Sequence, residues 1–245
     1  MMYVDAHAHL YLMSEDDLKR TFESNIIVFA VSEDVDSSFK TLQLAERYKP
    51  MVVPFIGIHP WRVNEFDEKE IDKIAELIRE LKKYGGGLGE IGIDAKKPAI
   101  EKQMKFFERF LELAAGYKLP VNIHATRLWR IALKMVIEHD VRANFHWYSG
   151  PLDLLRDIRD AECFISINPC YIFQAQHHIV VEKAPIEIML TETDAPFTFR
   201  GIKLRSWFVI PLVRKIAQLR GMQEEELRKQ ILQNAKKFLG FFPKI

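Results

Sequence analysis

At 245 residues, with 48% hydrophobic and 28% charged positions, the chain has the length of one α/β barrel of about 250 residues and the composition of an ordinary folded protein. Its formal charge of +1 excludes a protein that coats duplex nucleic acid by bulk electrostatics, and no apolar run approaches the roughly 18 residues of a membrane span. The segment MMYVDAHAHL lacks a basic stretch ahead of an apolar one, and Cys163 and Cys170 have no zinc-knuckle spacing, so the expectation is a cytoplasmic protein with reduced thiols.

From there short apolar runs alternate with amphipathic stretches. Strands are expected at 2–9, 26–32, 51–58, 87–93, 120–124, 142–147, 163–168 and 187–193, each rich in Val, Ile, Phe or Leu. Helices are expected at 14–24, 35–48, 67–83, 98–117, 127–139, 151–160, 173–183 and 205–220, with a further helix at 223–239. Ser14 with Asp17 resembles a capping box, and Asp67 opens the helical series Ile71, Ile74, Leu77, Ile78, Leu81. Pro98 and Pro151 suit a first helical turn, whereas Pro211 predicts a kink or a late start. Leu219, Met222, Leu227, Ile231 and Phe238 predict an apolar face that docks the C-terminal helices, and His177-His178 reads as surface or helix-packing polarity. Residues 195–245 carry 11 Lys/Arg against 3 Asp/Glu, which describes a solvated helix face or a phosphate-attracting rim.

Strand–helix alternation implies parallel strands joined by helical crossovers. Eight units imply a single-domain α/β fold, a (β/α)8 TIM barrel over residues 1–245 with an extra C-terminal helix. An open doubly wound sheet is the alternative, but no G-x-G-x-x-G follows the first strand to support its dinucleotide-binding form.

The strand ends carry the chemistry. His7 and His9 are two apart and share one face of a strand. Glu90 stands in an apolar run, and His124, His146 and Asp194 end strands five, six and eight. Any one is commonly a satisfied buried polar group, but burying all of them requires partners or a metal. A barrel brings its C-terminal strand ends to one face, so the six side chains converge on a metal site. Glu192 shares a face with Asp194 and Asp5 lies two before His7; each is placed for a hydrogen bond behind the ligands.

The pieces VDAHAH, GIHPW at 57–61, GEIGID at 89–94, NIHA at 122–125, FHWYSG at 145–150 and TETDAP at 191–196 together resemble the TatD-type metal-dependent deoxyribonucleases of the amidohydrolase superfamily. That resemblance implies a barrel binding one or two divalent ions (Zn, Mn, Mg, Fe or Co) and hydrolysing phosphodiester bonds of DNA, its substrate partner, with 3′-end or single-strand preference. It implies that His7, His9 and Asp194 hold a first metal, that Glu90 bridges to a second, and that His124 and His146 hold that second one. Glu90 and Asp194 are then the catalytic carboxylates, Asp194 also accepting a proton. His59 resembles a substrate-side histidine that donates to a phosphate; otherwise it caps local backbone. Arg127 and Arg200, with Arg62 or Arg205, are candidates to bind phosphates. Trp61, Trp129, Trp147, Tyr148 and Trp207 could stack on bases or pack under loops. Four positions depart from the family pattern. Thr126 stands where Arg is usual, Ala95-Lys96-Lys97 follows GEIGID, Phe110 replaces a second Gln after Gln103, and no Asn-x-Pro follows Arg200-Gly201. A related metallohydrolase acting on a small C–N, lactone or phosphoester bond is the alternative enzyme, and a binding-only barrel the alternative class. No protein partner is expected.

Overall fold

Strands covered on both faces cannot alternate apolar with polar, and IIVFAV at Ile26–Val31 is buried along its whole length. The computed structural model describes residues 2–240; Met1 and residues 241–245 of the expected single unit lie outside the described residues. Eight strands pair in parallel in chain order: β1 (Tyr3–Ala8), β2 (Ile26–Val31), β3 (Val52–Ile56), β4 (Gly87–Gly92), β5 (Val121–His124), β6 (Ala143–Phe145), β7 (Phe164–Ile167) and β8 (Met189–Thr191). Helices α1 (Glu15–Glu23), α2 (Val35–Arg47), α3 (Lys69–Leu81), α4 (Ile100–Tyr117), α5 (Trp129–Glu138), α6 (Leu154–Asp160), α7 (Ala175–Lys183) and α8 (Val209–Arg220) alternate with them, and α9 (Glu224–Leu239) follows. A doubly wound sheet would reverse its strand order; this one does not, and the fold is a nearly closed (β/α)8 barrel.

The seam between β8 and β1 is closed mainly at its C-terminal end. Ala8 bridges Ala195, His9 N donates to the Ala195 carbonyl at 2.7 Å, and Asp194 N donates to the His7 carbonyl at 2.9 Å. Side chains extend it: Thr191 Oγ1 donates to the Val4 carbonyl at 2.6 Å, and the Asp5 carboxylate accepts from Thr193 N and Oγ1 at 2.9 and 2.6 Å. Burial pushes the Asp5 carboxyl up to about 7 against those donors.

Two strands slip register by one residue where their functional side chains begin, β1 between Asp5 and Ala8 and β4 between Leu88 and Ile91. Such a slip changes which residues face the interior. Asp5 therefore turns to Thr193 at the seam, not to His7 as its spacing predicts. On β4 the backbone passes so near β5 that a Cβ on Gly89 would lie 2.8 Å from Asn122 Cβ, so only glycine fits beside Glu90.

Local signals hold with small shifts. Ser14 Oγ accepts from Asp17 N at 3.2 Å, while the Asp17 carboxylate pairs with Arg205 at 3.2 Å. Pro211 gives a late start: a 3-10 turn, Ser206–Phe208, precedes α8, and Pro211 falls in its first turn, where an N–H has no helical partner. Pro98 and Pro151 lie ahead of α4 and α6 instead of inside their first turns. Cys163 and Cys170 are free and buried, and burial pushes each thiol up to about 12. A short hairpin, β9 (Thr198–Phe199) with β10 (Ile202–Lys203), was not evident in the sequence; Arg200 and Gly201 turn it with φ of 49° and 81°. Among the described residues no helix is long and apolar enough to cross a membrane.

The docking face at the C-terminus needs one correction. Leu219 is exposed, because the buried face of α8 runs Val209, Leu212, Val213, Ile216, Ala217 and Leu219 falls off that stripe. Leu227, Ile231 and Phe238 are buried and Met222 packs at the edge of the core. The Phe238 ring lies 5.9, 5.8 and 5.8 Å from those of Phe29 in β2, Phe55 in β3 and Phe164 in β7. One side chain reaches strands on separate sides of a barrel only from near its axis, so α9 acts as a plug. Phe238→Ala should cost about 3–5 kcal/mol of stability, read as a lowered urea midpoint at unchanged slope; a loss below about 1 kcal/mol would show that the plug is dispensable.

Candidate metal centre

Parallel strands all end on the same rim, and the loops that follow begin there. That rim carries His7 on β1, His9 just after it, Glu90 on β4, His124 ending β5, His146 after β6 and Asp194 after β8. The structure brings all six together in a buried cluster around Glu90, which is 2% exposed. Glu90 Oε2 faces His7 Nε2 at 3.2 Å and His9 Nε2 at 3.5 Å. Glu90 Oε1 faces His124 Nδ1 at 2.9 Å, His146 Nε2 at 3.1 Å and His59 Nε2 at 3.1 Å. Asp194 Oδ1 completes the first lobe, 3.2 Å from His9 Nε2 and 3.6 Å from His7 Nε2. One carboxylate thus joins two sets of donors.

Hydrogen bonds behind the cluster set its chemistry. Asn122 donates its amide to the Ala6 carbonyl at 2.7 Å, so its Oδ1 accepts from His7 Nδ1 at 2.9 Å. The proton of a neutral His7 is then on Nδ1, and its Nε2 lone pair faces two carboxylate oxygens. This Nε2 is buried without a hydrogen-bond partner among the described residues. Three acceptors converging on one point repel one another unless a cation sits among them, so the residues present fit a divalent metal.

The second lobe is held similarly. His124 Nε2 lies 2.9 Å from Asp94 Oδ2 and 3.0 Å from Thr126 Oγ1, which leaves Nδ1 toward Glu90. Asp94 also accepts from Trp61 Nε1 at 2.7 Å and Lys96 N at 2.8 Å, and its own N–H donates to Gln103 at 2.7 Å. His146 stacks on His7 with ring centroids 3.9 Å apart and turns Nδ1 to Glu192 at 3.5 Å, the place its shared face with Asp194 predicts. Glu192 accepts from Ser166 and Asn168.

Of the two roles expected of His59, its hydrogen bonds show the backbone cap. Its Nδ1 accepts from Trp61 N at 3.1 Å and so caps the 3-10 turn Pro60–Glu65. That places the proton of the neutral ring on Nε2, which donates to Glu90 and faces the cavity. The groups whose donor atoms lie within 4.8 Å of one another are His7/His9/Asp194, His59/Glu90/His124 and His7/His146/Glu192.

Electrostatics reflect the crowding. Burial alone would lower the His9 pKa, but the Asp194, Glu90 and Glu33 carboxylates outweigh it and push it up to about 9. Against burial, His146 is raised by Glu90 aided by Glu192, and His124 by its hydrogen bond to Asp94 followed by Glu90. Burial keeps His59 low. Glu90, which burial would raise, is held well below the carboxylate range by His59, His7, His146 and His124. Glu192 is drawn down to about 2, chiefly by His146 against burial.

A cavity of about 530 Å³ opens above the cluster. Arg127, Lys96, Trp61, Trp129 and Trp147 line it, as do Glu33, Phe197 and Phe199, which the sequence did not single out. Arg200 does not: it tips the hairpin, its guanidinium over Phe173 and Phe199 at 5.8 and 5.7 Å. Arg62 is taken by Asp34 and Glu65, and Arg205 by Asp17, so neither is free for a phosphate. Tyr148 is buried with its hydroxyl on the Pro151 carbonyl at 2.6 Å, and Trp207 packs under Arg20 instead of lining the cavity. Asn122 and Asp94 were also missed. Asn122 had a signal, since it stands two before His124 on the same strand face.

His177 is fully buried on α7 because that face packs inward, so helix packing and not the surface explains it. Burial pushes it down to about 4.

Fold and site together define a metal-dependent hydrolase barrel. Residues 4–240 match the family described as TatD related DNase, and the chain belongs to it. An uncharacterized metal-dependent hydrolase of Methanocaldococcus jannaschii is 30% identical over 96% of both chains. Human deoxyribonuclease TATDN3 is 27% identical over 99% of this chain and 95% of its own. The crystal structure of the TatD homolog YjjV from Escherichia coli K12 superposes with a TM-score of 0.88 at 23% identity, covering 96% of this chain and 97% of that one.

Asp94→Asn should weaken divalent-metal binding by about 10–100-fold, read by titration calorimetry, because His124 loses its charged partner; unchanged affinity would assign Asp94 a role in holding Trp61 alone. A histidine held near 4 when buried takes up its proton more readily unfolded, so stability falls as pH drops from about 6.5 toward 4. Urea midpoints of wild type and His177→Gln should therefore converge by the equivalent of about 3 kcal/mol across that window. Parallel curves would mean that His177 is not the group responsible.

Proposed function

We propose that the chain hydrolyses phosphodiester bonds of DNA at a centre of two divalent ions, with His7, His9 and Asp194 holding one, His124 and His146 the other, and Glu90 bridging. The observation that carries this is the division of Glu90, one oxygen toward each set of histidines. Mixed imidazole and carboxylate donors suit Zn, Mn, Fe or Co, with Mg admitted through Glu90 and Asp194. When bound, such ions polarise a phosphoryl oxygen and make water acidic enough to attack at neutral pH. Asp194 stands at the cavity floor to accept the proton given up by that water. Arg127 and Lys96 line the cavity as cations that can hold the phosphate, neither with a carboxylate partner among the described residues, and His59 Nε2–H would join them only by turning from Glu90. Trp61, Trp147, Phe197 and Phe199 offer rings on which unpaired bases stack, which favours single strands or ends. The likeness to human TATDN3, itself named a deoxyribonuclease, supports DNA as the substrate.

A small phosphoester is the second reading, favoured by Thr126 in place of Arg and by a cavity of about 530 Å³, a small-molecule size. Metal removal should abolish cleavage of end-labelled single-stranded DNA, and readdition should restore it. Glu90→Ala and Asp194→Asn should lower kcat on the order of 10³-fold, while His124→Ala should lower bound metal from two ions to one. Turnover of a phosphoester panel with no DNA cleavage would overturn the nuclease assignment.

A further inference from the structure

The end of β2 gives the cavity one polar group that the proposed metal centre leaves unused. Glu33 is half-buried and lines the cavity alongside His9 and His59. Its backbone is fixed, its N–H donating to Ser37 Oγ at 2.9 Å and its carbonyl accepting from His59 N at 3.0 Å. Oε2 of its carboxylate accepts from Tyr11 Oη at 2.7 Å. Oε1 has no hydrogen-bond partner among the described residues. The start of α2 does not need this side chain, because Asp34 caps that helix. Nor does Glu33 join any cluster of metal-type donors among the described residues.

A site for phosphodiesters is expected to present donors and cations, and a carboxylate is neither. A phosphate seated directly against Oε1 would meet like charge, and the Arg62 guanidinium is committed to Asp34 and Glu65. A hydroxyl donates, and a fixed carboxylate is its strong acceptor. The cations of the cavity lie elsewhere on the rim: Lys96 follows β4 and Arg127 follows β5. In the strand order β4 is two and β5 three strands from β2. Glu33 thus follows one strand of the cavity wall and the two basic side chains follow others.

We propose that Glu33 Oε1 accepts a hydrogen bond from a terminal sugar hydroxyl of the bound strand and turns away an end that carries a phosphate. The strand end then sits at β2, and the phosphates that continue from it run toward Lys96 and Arg127. Tyr11 is a positioning residue that aims the carboxylate. This assignment rests on the nuclease reading above.

The test uses four single-stranded oligonucleotides of one sequence, with hydroxyl or phosphate at the 3′ or the 5′ end, and metal-loaded full-length protein. Wild type should favour hydroxyl over phosphate at one of the two ends by about tenfold or more in kcat/KM. Glu33→Gln, which removes the charge and keeps the shape, should bring that ratio within about threefold by raising cleavage of the phosphate-ended strand. Tyr11→Phe should narrow it part of the way, and both variants should keep the wild-type melting temperature within a few degrees. Binding of the four strands to Glu90→Ala should show the same preference without turnover. No end preference in wild type, or a ratio untouched by Glu33→Gln, overturns the assignment to Glu33 while leaving the nuclease intact. Wild type that cleaves none of the four overturns the nuclease reading, and this one with it.

Discussion

Glu90 is the constraint around which the rest is arranged. A carboxylate taken out of water is costly unless its charge is matched, and five imidazoles from the ends of four strands, β1, β3, β5 and β6, surround this one. The imidazoles are matched in turn. Asn122 and Asp94 take the far nitrogens of His7 and His124, Glu192 faces that of His146 at 3.5 Å, and the near nitrogen of each ring faces inward. The centre is therefore two concentric sets of polar groups in an apolar barrel, and the outer set decides which nitrogen of each ring is available. Glu90 reaches that position because Gly89 lets β4 run against Asn122 of β5. The same Asn122 that crowds the glycine orients His7, so backbone approach and the orientation of that imidazole depend on one side chain.

Much of this was legible in the sequence. Eight apolar runs with helical stretches between them specify a parallel sheet, and once the barrel is assumed, the strand ends place the histidines and carboxylates without a further choice. Periodicity also predicted that His7 and His9 share a face and that Glu192 stands behind the site. It failed at Asp5, because a one-residue slip in β1 lies between Asp5 and Ala8 and spacing carries no record of a slip. Asp94 escaped notice since it follows a glycine at φ 137°, where strand alternation no longer says which way a side chain points. The place of Arg200 outside the cavity lining was not legible for a related reason: it turns a hairpin of two short, partly exposed strands that have no hydrophobic pattern to announce them. Regular backbone can be counted along; turns and slips have to be seen.

The polar groups of the cavity wall carry a division of labour that the buried cluster does not. Below, carboxylates and imidazoles are packed against one another out of contact with water. Above, Lys96 and Arg127 are without carboxylate partners among the described residues, and the rings of Trp61, Trp129, Trp147, Phe197 and Phe199 share the lining with them. Such a wall binds by what arrives, whereas the cluster beneath it is set before anything arrives.

The seam between β8 and β1 has a consequence in time. Val4 accepts its hydrogen bond from a residue 187 positions later, and Asp5 from one 188 positions later. His7 and Asp194 are tied through the same backbone contacts, so the first lobe of the centre has no complete form until the last strand has been made and has travelled back to the first. A ribosome-bound chain that has emerged only as far as β7 holds His7 and His9 with nothing to close them. Completion of that lobe and closure of the barrel are therefore one structural event, made by the same backbone contacts.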